Sequence, residues 1–247
     1  MRLAVALACL VMSTPALAIT GKAPPATGWA ARPIVMVGST LGDQCTGTAL
    51  TRDLVLTAAH CVTHKARYAV KAYQTGDVIP VRRIARHPRF SYKSYAAARA
   101  TADVALVKLA KPLPDIVVPA ALAAARRVEA GETLTVAGFG VTEAGTAHGL
   151  GVPREAKLTV TGKPGSLQIR LYDAATRNER AGLGGCTGDS GAPAYDGEGP
   201  LVIGVVSWST GPDNTEGCGG LTGLTPLLLY HEWIVETAEK LGSPIAP

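Results

Sequence analysis

Short apolar runs, separated from one another by Gly, Pro or small polar residues, are the feature that most constrains how this chain can fold. The 247 residues include 28 glycines and 17 prolines, and the runs between them are rich in Val, Ile, Leu and Thr, which favour strands. These runs include PIVMVGS, LVLTAA, DVALVKL, TLTVAGFG, AKLTVTG and LVIGVVSWS. The pattern predicts an all-β protein built from many short strands.

One segment near the C-terminus has helical spacing instead. Between residues 230 and 241 the apolar side chains recur every three or four positions, with the glutamates between them. The stripe consists of Tyr230, Trp233, Ile234, Thr237, Ala238 and Leu241. We expect one terminal α-helix, over about 229–241, packed on the β core. The Ala- and Pro-rich stretch from Pro112 to Val128 is the predicted crossover between two β units.

The first 18 residues have the form of a secretory signal peptide. Arg2 supplies the positive start, Leu3 to Met12 is an apolar run, and Ala16 to Ala18 are the small residues that signal peptidase reads. We expect cleavage after Ala18, which removes Cys9 and leaves residues 19–247 secreted or periplasmic. No later segment has the roughly 20 uninterrupted apolar residues that a membrane helix requires, so no membrane contact is expected.

Charge and histidine spacing exclude several classes of partner. Removing the signal takes away one arginine and no acid, so the formal net charge falls from +5 to +4. The doublets Arg82-Arg83 and Arg126-Arg127 are too isolated to form a nucleic-acid surface. The histidines outside the motifs below lack the spacing of metal ligands. We therefore expect no nucleic acid, metal or cofactor.

Four cysteines remain after the signal is removed, an even number in an exported protein, which is typical of two disulfides. Their clustering in two pairs favours Cys45 with Cys61 and Cys186 with Cys218.

Three stretches carry candidates for nucleophilic catalysis: TAAHC with His60, ADVALVKL with Asp103, and GCTGDSGAP with Ser190. Each has an ordinary alternative, since a lone His is often a packed residue, an Asp before a strand is often a turn residue, and a Ser between glycines is often only a loop. Their combination in an exported β protein indicates a serine nucleophile, a base and an orienting carboxylate.

The chain resembles the trypsin/chymotrypsin family of serine proteases from Ile19 to about Leu241. The motifs LTAAHCV, ADVALVKL, GDSGAP and GVVSWS carry the resemblance, supported more weakly by RIARHPRF and LYHEWI. It implies two packed antiparallel six-stranded β-barrels with a C-terminal helix. The barrels would span about 19–125 and 126–228, with the active site between them.

The resemblance also implies roles for individual residues. His60 would be the general base, Asp103 its orienting carboxylate and Ser190 the nucleophile of a secreted endopeptidase. The backbone N–H groups of Gly188 and Ser190 would form the oxyanion hole. The pair Cys45–Cys61 would staple the loop that carries His60.

Substrate recognition is implied in the same way. Ser207 would bond the catalytic aspartate, and the backbone of Ser207, Trp208 and Ser209 would pair with an extended polypeptide. The primary pocket would be formed by Gly184, Gly185, Ser209 and Gly223 and braced by Cys186–Cys218. It carries no acid at its base, so we expect an apolar P1 side chain such as Leu, Phe or Tyr, unless Asp213 or Glu216 of the TGPDNTEG insertion reaches inward.

The predicted new N-terminus resembles the family's activated start. Ile19-Thr20-Gly21 would insert and pair its free amine with Asp189, the residue before the nucleophile. Because signal cleavage would itself expose Ile19, we expect no separate zymogen.

Three departures from the family are visible. Ala192 replaces a usual glycine, the segment before the nucleophile lacks a family disulfide, and the stretch containing Asp77 lacks the acids of a calcium loop.

One alternative stays open, a catalytically silent family member that acts as a binding module, although no triad residue is replaced. An esterase on an α/β-hydrolase fold needs a GxSxG elbow and the order Ser, Asp, His, and neither is present in this sequence. A protein inhibitor is a further expected partner, and a monomer is the expected state.

Overall fold

The computed structural model describes residues 19–162, 165 and 167–246. The predicted signal peptide lies outside these residues. The described chain is all-β with a C-terminal helix, as the short apolar runs predict. In β9 (Arg154–Thr161) every second side chain is buried, as in a strand with one face on the core.

The first six strands close into an antiparallel barrel in the order β1-β2-β3-β6-β5-β4. Strand β6 begins two residues after Asp103, and all five of its residues are buried, so it fixes the position of that aspartate. The six strands β1 to β6 span Ile34–Ser39, Gln44–Ala49, Leu54–Thr57, Tyr68–Lys71, Val78–Arg86 and Ala105–Leu109.

The later strands form a second barrel in the order β11-β8-β9-β10-β13-β12, closed by pairing of β11 with β12. A short strand, β7, pairs in parallel with β12. Besides β9, these strands span Ala121–Leu122 (β7), Thr133–Gly138 (β8), Ile169–Tyr172 (β10), Pro193–Tyr195 (β11), Leu201–Ser209 (β12) and Thr222–Pro226 (β13).

The beginning of the described chain belongs structurally to the second barrel. Ile19 is fully buried in the second barrel's core, and Ala23 is buried with it. The Thr20 N–H donates to the Gly184 carbonyl at 3.2 Å. The start of the described chain therefore packs against residues that are distant in sequence, beside the loop that leads to Ser190.

Among the described residues, three α-helices accompany the barrels: α1 (Gly28–Ala31), α2 (Tyr92–Ala96) and α3 (His231–Lys240). The terminal helix and its apolar stripe are confirmed, because Tyr230, Ile234 and Ala238 are all buried in the first core. None of the helices in the described part of the chain is long and apolar enough to cross a membrane.

Candidate active site

The three candidate residues reach one region from separate elements. His60 lies on a 3₁₀ turn, Ala59–Val62, that begins two residues after the end of β3, and Asp103 lies two residues before the start of β6. Ser190 lies between β10 and β11 of the second barrel. His60 and Ser190 line the same cleft of about 690 Å³, while Asp103 is fully buried behind His60.

Asp103 is held by three hydrogen bonds. Its Oδ2 accepts from Nδ1 of His60 at 2.7 Å and from the Ser207 hydroxyl at 2.6 Å. Its Oδ1 accepts from the His60 backbone N–H at 2.8 Å. A carboxylate bound to Nδ1 fixes both the ring orientation and the tautomer, so Nε2 is left as the proton acceptor.

The Nε2 side of His60 is less constrained. Nε2 lies 3.8 Å from Sγ of Cys61, and within the described residues no hydrogen bond joins it to the Ser190 hydroxyl. Contacts between a nucleophile and its base commonly tighten only once substrate is bound.

Tyr95 covers one face of the His60 ring. The two rings stack at a centroid distance of 4.2 Å with 12° between their planes. Burial and, to a smaller extent, the charges of Asp103 and Tyr92 raise the pKa of Tyr95 to about 12, so the ring stays neutral. An aromatic face against imidazole favours the protonated ring that forms when His60 accepts a proton.

The loop that carries Ser190 is tightly turned. Gly188 has φ +96° and Gly191 has φ +84°, a left-handed conformation that glycine adopts without strain. The Asp189 N–H donates to the Cys186 carbonyl at 3.0 Å, and the Gly191 N–H donates to the Val206 carbonyl at 2.8 Å. Ser190 therefore projects from a turn that β12 anchors.

Asp189 is fully buried in this turn. Its carboxyl accepts from the Gly140 N–H at 2.8 Å and from the Cys186 N–H at 2.9 Å. Burial outweighs these two bonds and raises the pKa of Asp189 to about 7. A neighbouring cation would favour the anionic form of this carboxyl and offset the cost of its burial.

The two disulfides have the predicted pairing. Cys45 is bonded to Cys61 and Cys186 to Cys218. In the described residues, one group of potential metal ligands lies close together: Cys45, Cys61 and His60. Both sulfurs are committed to the disulfide, so this group offers no thiolate for a metal.

The predicted pocket residues divide into two sets. Ser207, Trp208 and Ser209 line the cleft, whereas Gly184, Gly185 and Gly223 do not. Asp213 and Glu216 are exposed and also lie outside the cleft lining, so neither provides an acid for it.

The structure corrects the position expected for Gly223. A side chain at Gly223 would run into the Trp208 ring, so this glycine packs beneath the tryptophan. Its neighbour Thr222 is fully buried and faces Gly185 instead, accepting from the Gly185 N–H through Oγ1 at 2.8 Å. Strand pairing agrees, since Ser209 lies opposite Thr222.

Comparison with known proteins settles the family. The sequence model described as Trypsin matches residues 19–234. This chain belongs to the trypsin family of serine proteases. Trypsin epsilon of Drosophila erecta is 28% identical over 211 residues, covering 80% of this chain and 78% of that protein. A trypsin of Phaedon cochleariae is 28% identical over 221 residues, covering 79% of each.

Solved structures agree on the fold of this trypsin-like chain. Human heparin binding protein has a TM-score of 0.70 at 21% identity, covering 92% of this chain and all of that one.

Sequence reasoning missed three residues at the site: Thr46, Tyr95 and Thr222. Thr46 lies next to Cys45, and Tyr95 lies between the His60 and Asp103 motifs, but nothing in either stretch signals the contact that each makes. Thr222 is placed by a shift in the pairing of β12 with β13, which the local sequence does not signal.

Proposed function

We propose that this protein is a secreted serine endopeptidase that cleaves peptide bonds through an acyl-enzyme on Ser190. The observation that carries the proposal is the Asp103 carboxylate, which is fully buried and bonded to Nδ1 of His60 at 2.7 Å. This contact directs Nε2 away from the aspartate, in the cleft that also holds Ser190.

The reaction begins when Ser190 Oγ attacks the scissile carbonyl and His60 Nε2 takes the hydroxyl proton. The negative charge that develops on the carbonyl oxygen is stabilised by the N–H groups of Gly188 and Ser190. His60 then gives its proton to the leaving amine. Water, deprotonated by His60, hydrolyses the acyl-enzyme and restores Ser190.

Asp103 and Tyr95 assist the base without exchanging protons. Asp103 stabilises the imidazolium through its bond to Nδ1, and the Ser207 hydroxyl holds that carboxylate in place. The stacked Tyr95 ring adds a favourable face for the cation.

Signal cleavage after Ala18 completes the site in this proposal. Ile19 is buried beside the second barrel, and Thr20 is bonded to Gly184, five positions before Asp189. The free amine of Ile19 would supply the cation that the buried Asp189 needs. The protein is then competent as soon as it is exported and folded.

The substrate is an extended polypeptide that pairs with the backbone of residues 207–209. Thr222 fills the space facing Gly185, so the primary pocket is narrower than two opposed glycines would make it. The P1 side chain is therefore apolar and small, Ala or Val rather than Leu, Phe or Tyr. We further propose that the enzyme works as a monomer.

The second candidate is a silent binding protein on the same scaffold. Its motivation is the fold shared with human heparin binding protein and the lack of a bond between His60 and Ser190 among the described residues. Retention of all three candidate residues favours the protease.

Hydrolysis of matched fluorogenic peptides separates the two candidates. Wild-type protein beginning at Ile19 should cleave them, and Ser190→Ala, with an unchanged thermal unfolding curve, should not. A folded wild type that cleaves none of a broad peptide library would favour the binding protein, and equal cleavage by Ser190→Ala would refute the assigned nucleophile.

Peptides that differ only at P1 test the pocket. We expect kcat/KM for Ala at P1 to exceed that for Phe, and Thr222→Gly to move the ratio toward Phe by about tenfold or more, since pocket fit discriminates side chains on this scale. An unchanged ratio in Thr222→Gly would show that Thr222 does not limit the pocket.

A further inference from the structure

Thr46 joins the first barrel to the turn that carries Ser190. It lies on β2 and is fully buried. Its Oγ1 donates to the Gly188 carbonyl at 2.9 Å, across 142 positions of sequence. Its backbone N–H donates to the Ser190 carbonyl at 2.8 Å. One residue therefore binds the carbonyls of both residues proposed to form the oxyanion hole.

The same hydroxyl is also an acceptor. The Phe139 N–H donates to Oγ1 of Thr46 at 3.1 Å. On the other side, the Thr57 hydroxyl donates to the Thr46 carbonyl at 2.8 Å. The hydroxyl has one proton, which it donates to Gly188, so it can only accept from Phe139. The two bonds together fix the orientation of the hydroxyl.

Phe139 begins a row of three backbone donors that hold the turn. After Phe139 binds Thr46, the Gly140 N–H binds Asp189 at 2.8 Å. The Val141 N–H binds the Thr187 carbonyl at 2.8 Å, which belongs to the same peptide unit as the Gly188 N–H. The Thr46 hydroxyl therefore restrains the peptide unit after Gly188, while Val141 restrains the one before it.

A restraint on both sides matters because Gly188 has φ +96° and no side chain. Glycine reaches neighbouring conformations at little cost, and a rotation of either peptide unit would turn the Gly188 N–H away from the oxyanion. Stabilisation of a developing charge depends on donors that are oriented before the reaction.

We propose that Thr46 is a positioning residue that holds the Gly188–Ser190 turn in the orientation required for the oxyanion hole. The proposal rests on the protease function above. It assigns to the first barrel a part in transition-state stabilisation, in addition to supplying His60 and Asp103.

Replacement of the hydroxyl by a methyl group tests this. Thr46→Val keeps the volume and the backbone N–H but leaves Phe139 N–H and Gly188 C=O without their partner, whereas Thr46→Ser keeps the hydroxyl. We expect kcat to fall about 10- to 100-fold in Thr46→Val with KM within about threefold, because losing a whole oxyanion donor costs on the order of a hundredfold or more. Thr46→Ser should stay within about threefold of wild type for both constants.

The affinity for a peptide aldehyde, compared with that for a matched amide, distinguishes a positioning role of Thr46 from a purely structural one. The adduct of the aldehyde with Ser190 places an oxyanion in the hole, so Thr46→Val should weaken it by the same factor as kcat/KM. Binding of a matched peptide amide should be unchanged. If Thr46→Val does not fold, Thr46→Ala replaces it. Equal weakening of both ligands, or a Ser variant as impaired as the Val variant, would overturn the proposal.

Amide hydrogen exchange at residues 187–190 separates this inference from the protease assignment, because it needs no activity. Exchange should be faster in Thr46→Val and unchanged in Thr46→Ser. The same exchange in all three proteins would overturn the role of Thr46, while an inactive wild type with the expected exchange pattern would overturn only the protease function.

Discussion

Asp103 and Asp189 are both fully buried near Ser190, yet their surroundings differ. Asp103 accepts three hydrogen bonds, two of them from side chains, and one of those is the ionisable ring of His60. Within the described residues Asp189 accepts two, both from backbone N–H groups, and burial raises its pKa to about 7. The first carboxylate has its partners within the folded barrels, and the second needs a cation from elsewhere.

This difference separates the assembly of the catalytic base, which depends on Asp103, from the proposed activation of the Ser190 turn, which depends on Asp189. Everything that Asp103 binds is present once the barrels fold, so the base is ready regardless of how the chain begins. Asp189 responds to the N-terminus, because only a free amine at Ile19 brings a positive charge to its place in the proposal. In the proposal, the nucleophile turn would therefore couple the state of the N-terminus to the oxyanion hole.

The largest expected effect comes from removing the charge of Asp103. Asp103→Asn keeps the size of the side chain but no longer favours the Nδ1–H tautomer of His60, so kcat should fall by about 10⁴. Steady-state kinetics on a peptide substrate measure the loss, and thermal unfolding checks the fold. A loss smaller than about tenfold would mean that Asp103 does not orient the base.

A smaller, pH-dependent effect is expected when the amine of Ile19 is blocked. A protein that keeps Ala18 should lose about a hundredfold in kcat/KM, the scale of one oxyanion donor. Its Asp189 has a pKa of about 7 against 3.8 ordinarily, so protonation favours the folded state. The contribution of Asp189 to the free energy of unfolding is then highest below pH 4 and is lost as the pH rises to about 7.

Asp189→Asn is the control for that experiment. It should abolish the pH-dependent loss of stability in the blocked protein, because no buried charge forms. In the protein beginning at Ile19 it should instead reduce both stability and activity, because the ammonium loses its partner. The same response in both proteins would break the proposed link between Ile19 and Asp189.

The smallest effect is expected at Ser207. Ser207→Ala removes one of three hydrogen bonds from Asp103, and a bond to a charged group is worth about 1.5–3 kcal/mol, of which the remaining bonds recover a part. We expect kcat to fall about tenfold, measured beside Asp103→Asn. A loss as large as that of Asp103→Asn would show that Asp103 depends on Ser207 for its position.

Much of the fold was predictable because it follows from patterns within short stretches of the sequence. Short apolar runs rich in Val, Ile, Leu and Thr predicted the strands, and the three- and four-residue spacing at Tyr230 to Leu241 predicted the helix. The motifs around His60, Asp103 and Ser190 are also local. Whether these three motifs meet in one region depends on how the two barrels pack. The family resemblance implied that they do, whereas the spacing of the motifs along the sequence did not.

The residues that were missed act at long range. Thr46 reaches Gly188 across the barrel interface, and the stacking of Tyr95 depends on how the loop containing α2 folds back on His60. That Thr222 rather than Gly223 faces Gly185 has another cause. The pairing of β12 with β13 shifts between Val206 and Trp208, and a shift of one residue turns each side chain to the opposite face. Such a bulge leaves no mark in the sequence.

The most direct test of the account is the intact mass of the exported protein before and after an organophosphorus reagent that labels activated serines. The account predicts a chain that begins at Ile19 and gains one adduct, which is lost in Ser190→Ala. A chain that begins at Ile19, folds and gains no adduct would contradict the account, because the site would then be assembled without an active nucleophile.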